Sequence, residues 1–593
     1  MKRILAFISL LPGFACSAFL RGNAVDVDSL DPLGKSALAF PKSGHYNGWG
    51  TFNQLIDHSD PSLGTFRQRY WYSTQYWNGP GSPVVLVNSG ERSAEGTDRV
   101  YLSDAMLPGL FAKELGAAVI LMEHRYWGRS SPFGTLTSEN LKYLTLDNSL
   151  KDIINFAQTW VPDFDPSGSS SPQRAPWIYT GGSYAGALAS WLASLYPGTF
   201  WAYHGSSSVV QNIGNFWQYH RPIQEATPQN CSRDLGRVID YIDDTLLNGT
   251  EEEKLFLKAK FKLEDLQDAD FAAAIASGPW LWQRTHFSDQ RQKGFNKYHK
   301  FCDYIEVCSL GTFILTLAEV ISLTWIEEFC LMAYLDSPRT LGGWAGKGAS
   351  GLCSVVYTNC EREAGYEGWK GRFNTGCFDS LNPSNPAYRD LTVNNWANRQ
   401  WNWMLCNEPF KWWQNGAPEG TPTIVSRLLD SEYWESLCPL YFPEGGYGIQ
   451  RNMTVDKINE WTGGWTVHPI KRLLESNGQF DPWRDATVSA VDRPGGPMAS
   501  TPDHPVILMP GGVHCSDYYK RDWDNNPEVK RTVDKEIGIM RRWVRDFYED
   551  GGEANGHPDE QMSGQTQNNG QTNGQAGGLL FGQIVGQIGD LRR

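Results

Sequence analysis

Downstream of a short N-terminal apolar run, the 593-residue sequence contains no stretch approaching the about 18 apolar residues that a membrane-spanning helix needs, so no membrane span is expected. It also lacks an excess of positive charge. Its 52 Lys and Arg against 66 Asp and Glu leave a net charge of −14, which argues against nucleic acid or an anionic membrane as partner. None of its 11 cysteines has the tight paired spacing of a zinc site, so neither a metal nor another cofactor is expected. The low-complexity tail 551–593 is rich in Gly, Gln and Asn through Gly578, too poor in apolar surface to fold, and its closing apolar run Leu579–Ile588 is broken by Gly and Gln and too weak for an anchor.

What is present is ample core material: 40% hydrophobic and 13% aromatic residues, with 25 Trp. The length fits a large α/β enzyme with an inserted cap, or separate domains. Met1-Lys2-Arg3, the apolar run Ile4 to Phe14 and the small residues Ala15 to Ala18 read as a secretory signal cleaved near Ala18. The expected location is therefore extracellular, or alternatively a vacuolar or lysosomal lumen. Removing the signal takes Cys16 and leaves ten cysteines, eight of them between 302 and 438; an even number in an exported chain suggests disulfides concentrated there. Asn230, Asn248 and Asn452 head glycosylation sequons and should lie at the surface.

Along the chain, Gly64 to Tyr72 alternates as an antiparallel edge strand, and Pro83–Asn88 and Ala117–Met122 are continuous apolar runs suited to strands buried on both faces. Helical spacing over Met106–Leu115 and Leu144–Val161 separates these runs from the strands Trp177–Thr180 and Trp201–Ser208. Strand, helix, strand predicts a parallel sheet with crossovers. The pattern breaks between about 211 and 460 into amphipathic and Trp/Cys-rich stretches, then returns at Arg472–Ser476 and Pro505–Met509 with a last helix near Glu528–Tyr548. The expected organisation is signal 1–18, α/β domain 19–210 and 461–550, a helical, disulfide-stapled cap 211–460, and tail 551–593.

The chemistry centres on Thr180-Gly181-Gly182-Ser183-Tyr184-Ala185-Gly186, which reads as a strand turning sharply into a helix with one serine at the turn. The strict G-x-S-x-G pattern would place glycine at 185, where this chain has Ala185. A serine needs a base and the base an orienting acid, and on such a sheet these follow later strands in the order acid, then histidine. Of the late histidines, His468 and His504 precede strands and His557 lies in the tail; His514 follows the strand Val506–Met509. Asp481 follows Arg472–Ser476 in a turn marked by Asn477-Gly478 and Pro482, with Asp485 and Asp517 as rivals. The backbone N–H groups of Tyr184 and of Gly90 or Glu91 are candidate oxyanion donors. Glu91 reads equally as a structural acid paired with Arg92 or Arg125.

With these residues in place, the chain resembles the exported serine peptidases typified by lysosomal Pro-X carboxypeptidase and dipeptidyl peptidase II. The resemblance runs from about Phe52 to Tyr548. It rests on Gln54-Leu55-Ile56-Asp57-His58, Gly64-Thr65-Phe66-x-Gln68-Arg69-Tyr70, Gly90-Glu91, Glu123-His124-Arg125-Tyr126-x-Gly128, Gly181-Gly182-Ser183-Tyr184, Asn477-Gly478-x-x-Asp481-Pro482-Trp483 and Gly511-Gly512-x-His514. It implies an α/β-hydrolase fold with a helical cap, cleavage beside proline, and Ser183, Asp481 and His514 as the triad. Ala185 is similar to the fungal branch, which includes acid prolyl endopeptidases, and Cys515 stands where many relatives carry a second histidine. The implied substrates are proline-containing peptides or proteins, cut endoproteolytically in acid. Trp396, Trp401, Trp403 and Met404 of the cap and Trp483 are the candidate pocket for the proline ring. The rivals are an exopeptidase, a lipase or esterase, and a non-catalytic binding protein.

Overall fold

The computed structural model describes residues 47–261, 263–287, 298–299, 302, 376–395, 397–443, 453–467 and 470–551. The expected signal, residues 552–593 of the tail, Trp396 and Asn452 lie outside them. Eight strands form one sheet: β1 (Asn47–Leu55), β2 (Thr65–Ser73), β3 (Val84–Asn88), β4 (Ala118–Met122), β5 (Trp177–Gly182), β6 (Ala202–Ser206), β7 (Leu473–Gly478) and β8 (Val506–Met509). Their spatial order is β1-β2-β4-β3-β5-β6-β7-β8. β1, β2 and β4 pair antiparallel, and every pair from β4 onward is parallel. This is the strand order of the α/β-hydrolase fold.

The continuous apolar runs are buried on both faces, as their composition requires. Leu86 and Ile120 point into one core, while Val85, Val87, Val119 and Leu121 point into the other, following the two-residue strand period. Helices α1 (Leu107–Leu115) and α8 (Pro527–Glu549) cover the second face, and α2 (Leu146–Thr159) and α3 (Tyr184–Leu195) cover the first. Between β6 and β7 the chain makes α4 (Gln229–Asn248), α5 (Asp268–Trp280), α6 (Arg399–Asn407) and α7 (Ser431–Tyr441). Their apolar residues, including Ile239, Phe271, Trp401 and Trp434, join the core on the α2–α3 face.

Three sequence expectations need correction. Gly64–Tyr72 is not an edge: its strand, β2, lies between β1 and β4, and β1 forms the rim. Asn477 and Gly478 are the last residues of β7 rather than a turn beyond it. Cysteine pairing is also incomplete. Cys231–Cys302 and Cys406–Cys438 are disulfides and Cys377 is disulfide-bonded, but Cys515 is a buried free thiol. Asn230 and Asn248 are exposed, as sequons should be.

Candidate active site

β5 runs into α3 through Ser183, whose φ of 59° and ψ of −127° lie where few L-residues sit. The turn is tight because the chain doubles back on itself. A β-carbon on Gly181 would lie 2.0 Å from the carbonyl oxygen of Ala185, and one on Gly186 would lie 2.8 Å from that of Ser206. Position 185 carries no such constraint. Ala185 packs toward Gly90, whose notional β-carbon would be 3.7 Å from that of Ala185, an ordinary contact. The departure from G-x-S-x-G is therefore sterically neutral here. Ser183 N donates to Ser206 O at 2.8 Å, which ties the turn to the end of β6.

Asp481 follows β7 and His514 follows β8, so both lie at the same C-terminal edge of the parallel sheet as Ser183. His514 Nδ1 is 2.9 Å from Asp481 Oδ1 and 3.1 Å from Oδ2. Oδ1 also accepts the Trp483 N–H at 2.9 Å, which fixes the carboxylate. The imidazole is buried, and its Nε2 has no hydrogen-bond partner. Burial opposes charging His514, but the adjacent Asp481 carboxylate, with Cys515 adding to it, outweighs burial and holds the imidazole pKa well above its ordinary value. Of the rival acids, Asp485 faces Arg221 and Arg484, and Asp517 accepts the hydroxyls of Ser206 and Ser476; neither touches His514.

The loop after β3 borders a cleft beside Ser183 that Asn88, Gly90, Glu91, Tyr101 and Tyr518 also line. Gly90 N donates to Asn88 Oδ1 at 2.9 Å, so that amide is occupied and Glu91 is the remaining candidate from this loop. The expected pairing of Glu91 with Arg125 is excluded by donor count. Arg125 spends its five N–H groups on Asp152 and on the carbonyls of Leu55, Ile56 and Tyr143. Tyr184 N is the first amide of α3 and has no acceptor within the helix.

The Glu-His-Arg motif supplies the scaffold of this loop, a role its sequence does not announce. The buried Glu123 carboxylate accepts Arg69 Nε and Nη2 at 2.9 and 2.7 Å, Ser130 Oγ at 2.6 Å, Ser93 Oγ at 3.1 Å, and the amides of Ala94 and Arg129 at 3.0 and 3.2 Å. One carboxylate thus pins β2, the loop carrying Glu91 and the turn after β4.

Beside His514 stands an aromatic wall. The Trp483 ring lies 6.4 Å from the imidazole and meets Trp412 at 5.9 Å; Trp412 in turn stacks on Trp401 at 6.1 Å and tilts against Phe410 at 5.0 Å. Trp401 also meets Tyr184 at 5.2 Å, joining the cap segment to α3. Of the expected pocket residues, Trp401 and Trp483 belong to this wall. Trp403 does not: its indole donates to Leu144 O, and its ring packs on Phe442. Met404 is wholly buried. Phe410 and Trp412 were not anticipated, and the dense run Phe410-Lys411-Trp412-Trp413 was the available signal.

Residues 54–325 match the family described as serine carboxypeptidase S28. The chain is 42% identical over 520 residues to the serine protease vicPa of Bipolaris victoriae (strain FI3), covering 87% of this chain and 92% of the relative. It is 34% identical over 533 residues to the mouse thymus-specific serine protease (87% and 90%), and 29% identical over 528 residues to a probable extracellular serine carboxypeptidase of Arthroderma benhamiae (85% and 66%). Among solved structures, a proline iminopeptidase of Mycobacterium smegmatis aligns at 11% identity and a TM-score of 0.30, covering 84% of this chain and 99% of that one. The strand order, the serine turn and the extent of these matches together make the chain a member of the S28 family of serine peptidases.

Proposed function

We propose that this serine peptidase cleaves on the carboxyl side of proline, within peptide chains, using Ser183 as nucleophile, His514 as base and Asp481 as its orienting acid. The observation that carries the reading is the state of His514: Asp481 holds Nδ1, while Nε2 is buried without a partner. Once the imidazole is deprotonated, Nε2 is an acceptor free to take one proton. In the reaction Ser183 Oγ turns to Nε2, gives up its proton and attacks the carbonyl carbon. The N–H groups of Tyr184 and Glu91 receive the oxyanion. His514 then returns the proton to the leaving amine, and water resolves the ester by the same route.

The proline preference rests on the aromatic wall. A pyrrolidine ring offers no N–H to recognise, so it is selected by shape and apolar contact, which Trp483 and Trp412 supply beside His514. The segment 211–460 acts as the cap over this cleft, and the chain is exported. Acid acts on the reading in two directions. Protonation of His514 removes the base, whereas the buried carboxyls Asp270, Glu408, Asp517 and Glu536, each raised by burial to about 7, favour a fold that works in acid.

A carboxypeptidase mode is the second reading, favoured by the family description and by the name of the Arthroderma relative. An internally quenched peptide with one internal proline and both termini blocked separates the two. Cleavage after the proline supports the endopeptidase. Cleavage only once the C-terminus is freed replaces it with the carboxypeptidase, and hydrolysis of esters but not peptides rejects both.

A further inference from the structure

Behind the loop that carries His514 lies a buried cluster of polar side chains that the reaction does not use. β6 contributes His204 and Ser206, β7 contributes Ser476, the loop after β8 contributes Asp517, and α8 contributes Glu536; all five are buried. Ser206 Oγ donates to Asp517 Oδ1 at 2.5 Å, and Ser476 Oγ donates to Oδ2. His204 Nε2 stands 3.8 Å from Asp517 Oδ2 and 3.8 Å from Glu536 Oε1, while its Nδ1 lies 2.9 Å from Thr180 Oγ1. The ring of Phe111, from α1, packs edge-on against His204 at 5.3 Å.

Glu536 is the anomaly. Its side chain is fully buried, and neither carboxyl oxygen has a hydrogen-bond partner. Among the described residues no lysine or arginine pairs with it or with Asp517. Beyond these two carboxyls, the titratable groups near the cluster are His204 and Glu475 of β7, and Glu475 is engaged by Ser190 and His504 at 2.8 and 2.6 Å. Two carboxylates buried side by side with no lysine or arginine paired to them repel each other and lose their hydration; a proton on one removes a charge and supplies the missing donor.

We propose that Asp517 and Glu536 share one proton and that this protonated pair positions the two catalytic loops. The mechanical link is short. Ser206 gives its hydroxyl to Asp517 and its carbonyl to Ser183 N, and the chain from Asp517 back to His514 is only three residues. Ser207 Oγ adds a further tie, accepting the Cys515 N–H at 3.0 Å. Burial raises both carboxyls to about 7 and lowers His204 to about 4, so across mildly acidic pH the imidazole is neutral and the proton resides on the carboxyls. As pH rises through that value the proton passes to solvent, the paired charges repel, and Asp517 pulls on Ser206 and on the histidine loop. The positioning part rests on the proposed roles of Ser183 and His514; the shared proton does not.

Glu536→Gln is the test, because an amide keeps the shape of the protonated acid but cannot ionise. Infrared spectra of the wild-type protein in mildly acidic buffer should contain the C=O stretch of a buried protonated carboxyl that disappears on titration through neutrality and is reduced in Glu536→Gln. In peptide hydrolysis, the alkaline fall of kcat should move up by at least about one pH unit in the variant, with KM changing less than kcat. A band of the same size in Glu536→Gln as in the wild type, or an alkaline limb unchanged in that variant, overturns the proposal. So does stoichiometric uptake of added Zn²⁺ with loss of the band, since the ligand-type atoms of His204, Asp517 and Glu536 lie within 4.8 Å of one another and would then form a cation site. Asp270 and Glu408, also raised by burial to about 7, contribute bands of the same kind, so the pair is read as the difference between wild type and variant, with Asp517→Asn as the second variant should Glu536→Gln fail to fold. That difference can be read even if the wild-type protein cleaves no peptide, so failure of the catalytic reading stays distinct from failure of this one.

Discussion

Gly478 lies directly under the loop that carries His514: a β-carbon there would come within 2.5 Å of the carbonyl oxygen of Val513 and 2.7 Å of that of Gly512. The contact brings the ends of β7 and β8 together, and Phe480 N donates to Gly512 O at 2.8 Å to hold them there. It is the physical reason for the Asn-Gly-x-x-Asp spacing, since Asp481 can reach His514 only if the intervening strand end is bare. Gly478→Ala should therefore displace the His514 loop. The expected result is a loss of about 1–3 kcal/mol in stability with a larger fall in kcat than in KM, measured by denaturant unfolding and steady-state hydrolysis.

Glu123 is a second dependency. Arg69 is buried and relies on it; the other carboxylate within reach, Glu95, is largely exposed. Glu123→Gln leaves that guanidinium poorly compensated and loosens the loop bearing Glu91. A loss of about 3–5 kcal/mol is expected, and the surviving folded fraction should show reduced kcat at nearly unchanged KM.

How far these features could be read from the sequence differs by element. The continuous apolar runs of β3 and β4 and the serine turn were legible because burial on both faces and a cramped turn each restrict composition. β1 was not. Gly48 and Gly50 weaken its strand pattern, yet they are needed because the rings of Tyr72 and Tyr70 lie across them, 2.6 and 2.5 Å from any β-carbon. Asp481 and His514 were found by chain order, whereas the roles of Glu123 and Asp517 depend on partners dozens to hundreds of residues away. Trp412 was hidden for another reason. Its backbone and that of Lys411 are left-handed, with φ of 50° and 53°, without a glycine to mark the turn.

The aromatic wall predicts where specificity resides. Trp412→Ala should leave the ester and peptide chemistry intact but lower kcat/KM for peptides with proline before the scissile bond by about tenfold or more relative to alanine at that position. Equal losses for both substrates would assign Trp412 to packing alone.

Stability should be nearly level in acid and fall as pH rises through neutrality. Asp270, Glu408, Asp517 and Glu536 have folded pKa values raised to about 7 from 3.8 or 4.5, chiefly by burial. Their contribution is fully present below the unfolded values and is lost as pH passes about 7. His124, His204 and His220 act oppositely: burial lowers them to about 4, 4 and 3, so they destabilise the fold as pH falls below 6.5. Four carboxyls against three imidazoles nearly cancel between those limits. Above 6.5 the carboxyls act alone, joined by His514, whose pKa is also raised. Chemical denaturation across the pH range should show this plateau and then a decline on the order of a few kcal/mol; stability that climbs steadily from acid to alkaline pH would contradict the assignment.

The central claim, that Ser183 is the nucleophile activated by His514, is tested most directly by Ser183→Ala. Circular dichroism of the variant should match that of the wild-type protein. Peptide hydrolysis should fall by roughly a millionfold, and a fluorophosphonate probe that labels the wild-type protein at Ser183 should no longer attach. Retention of more than a trace of hydrolysis, or labelling mapped to another serine, would contradict it.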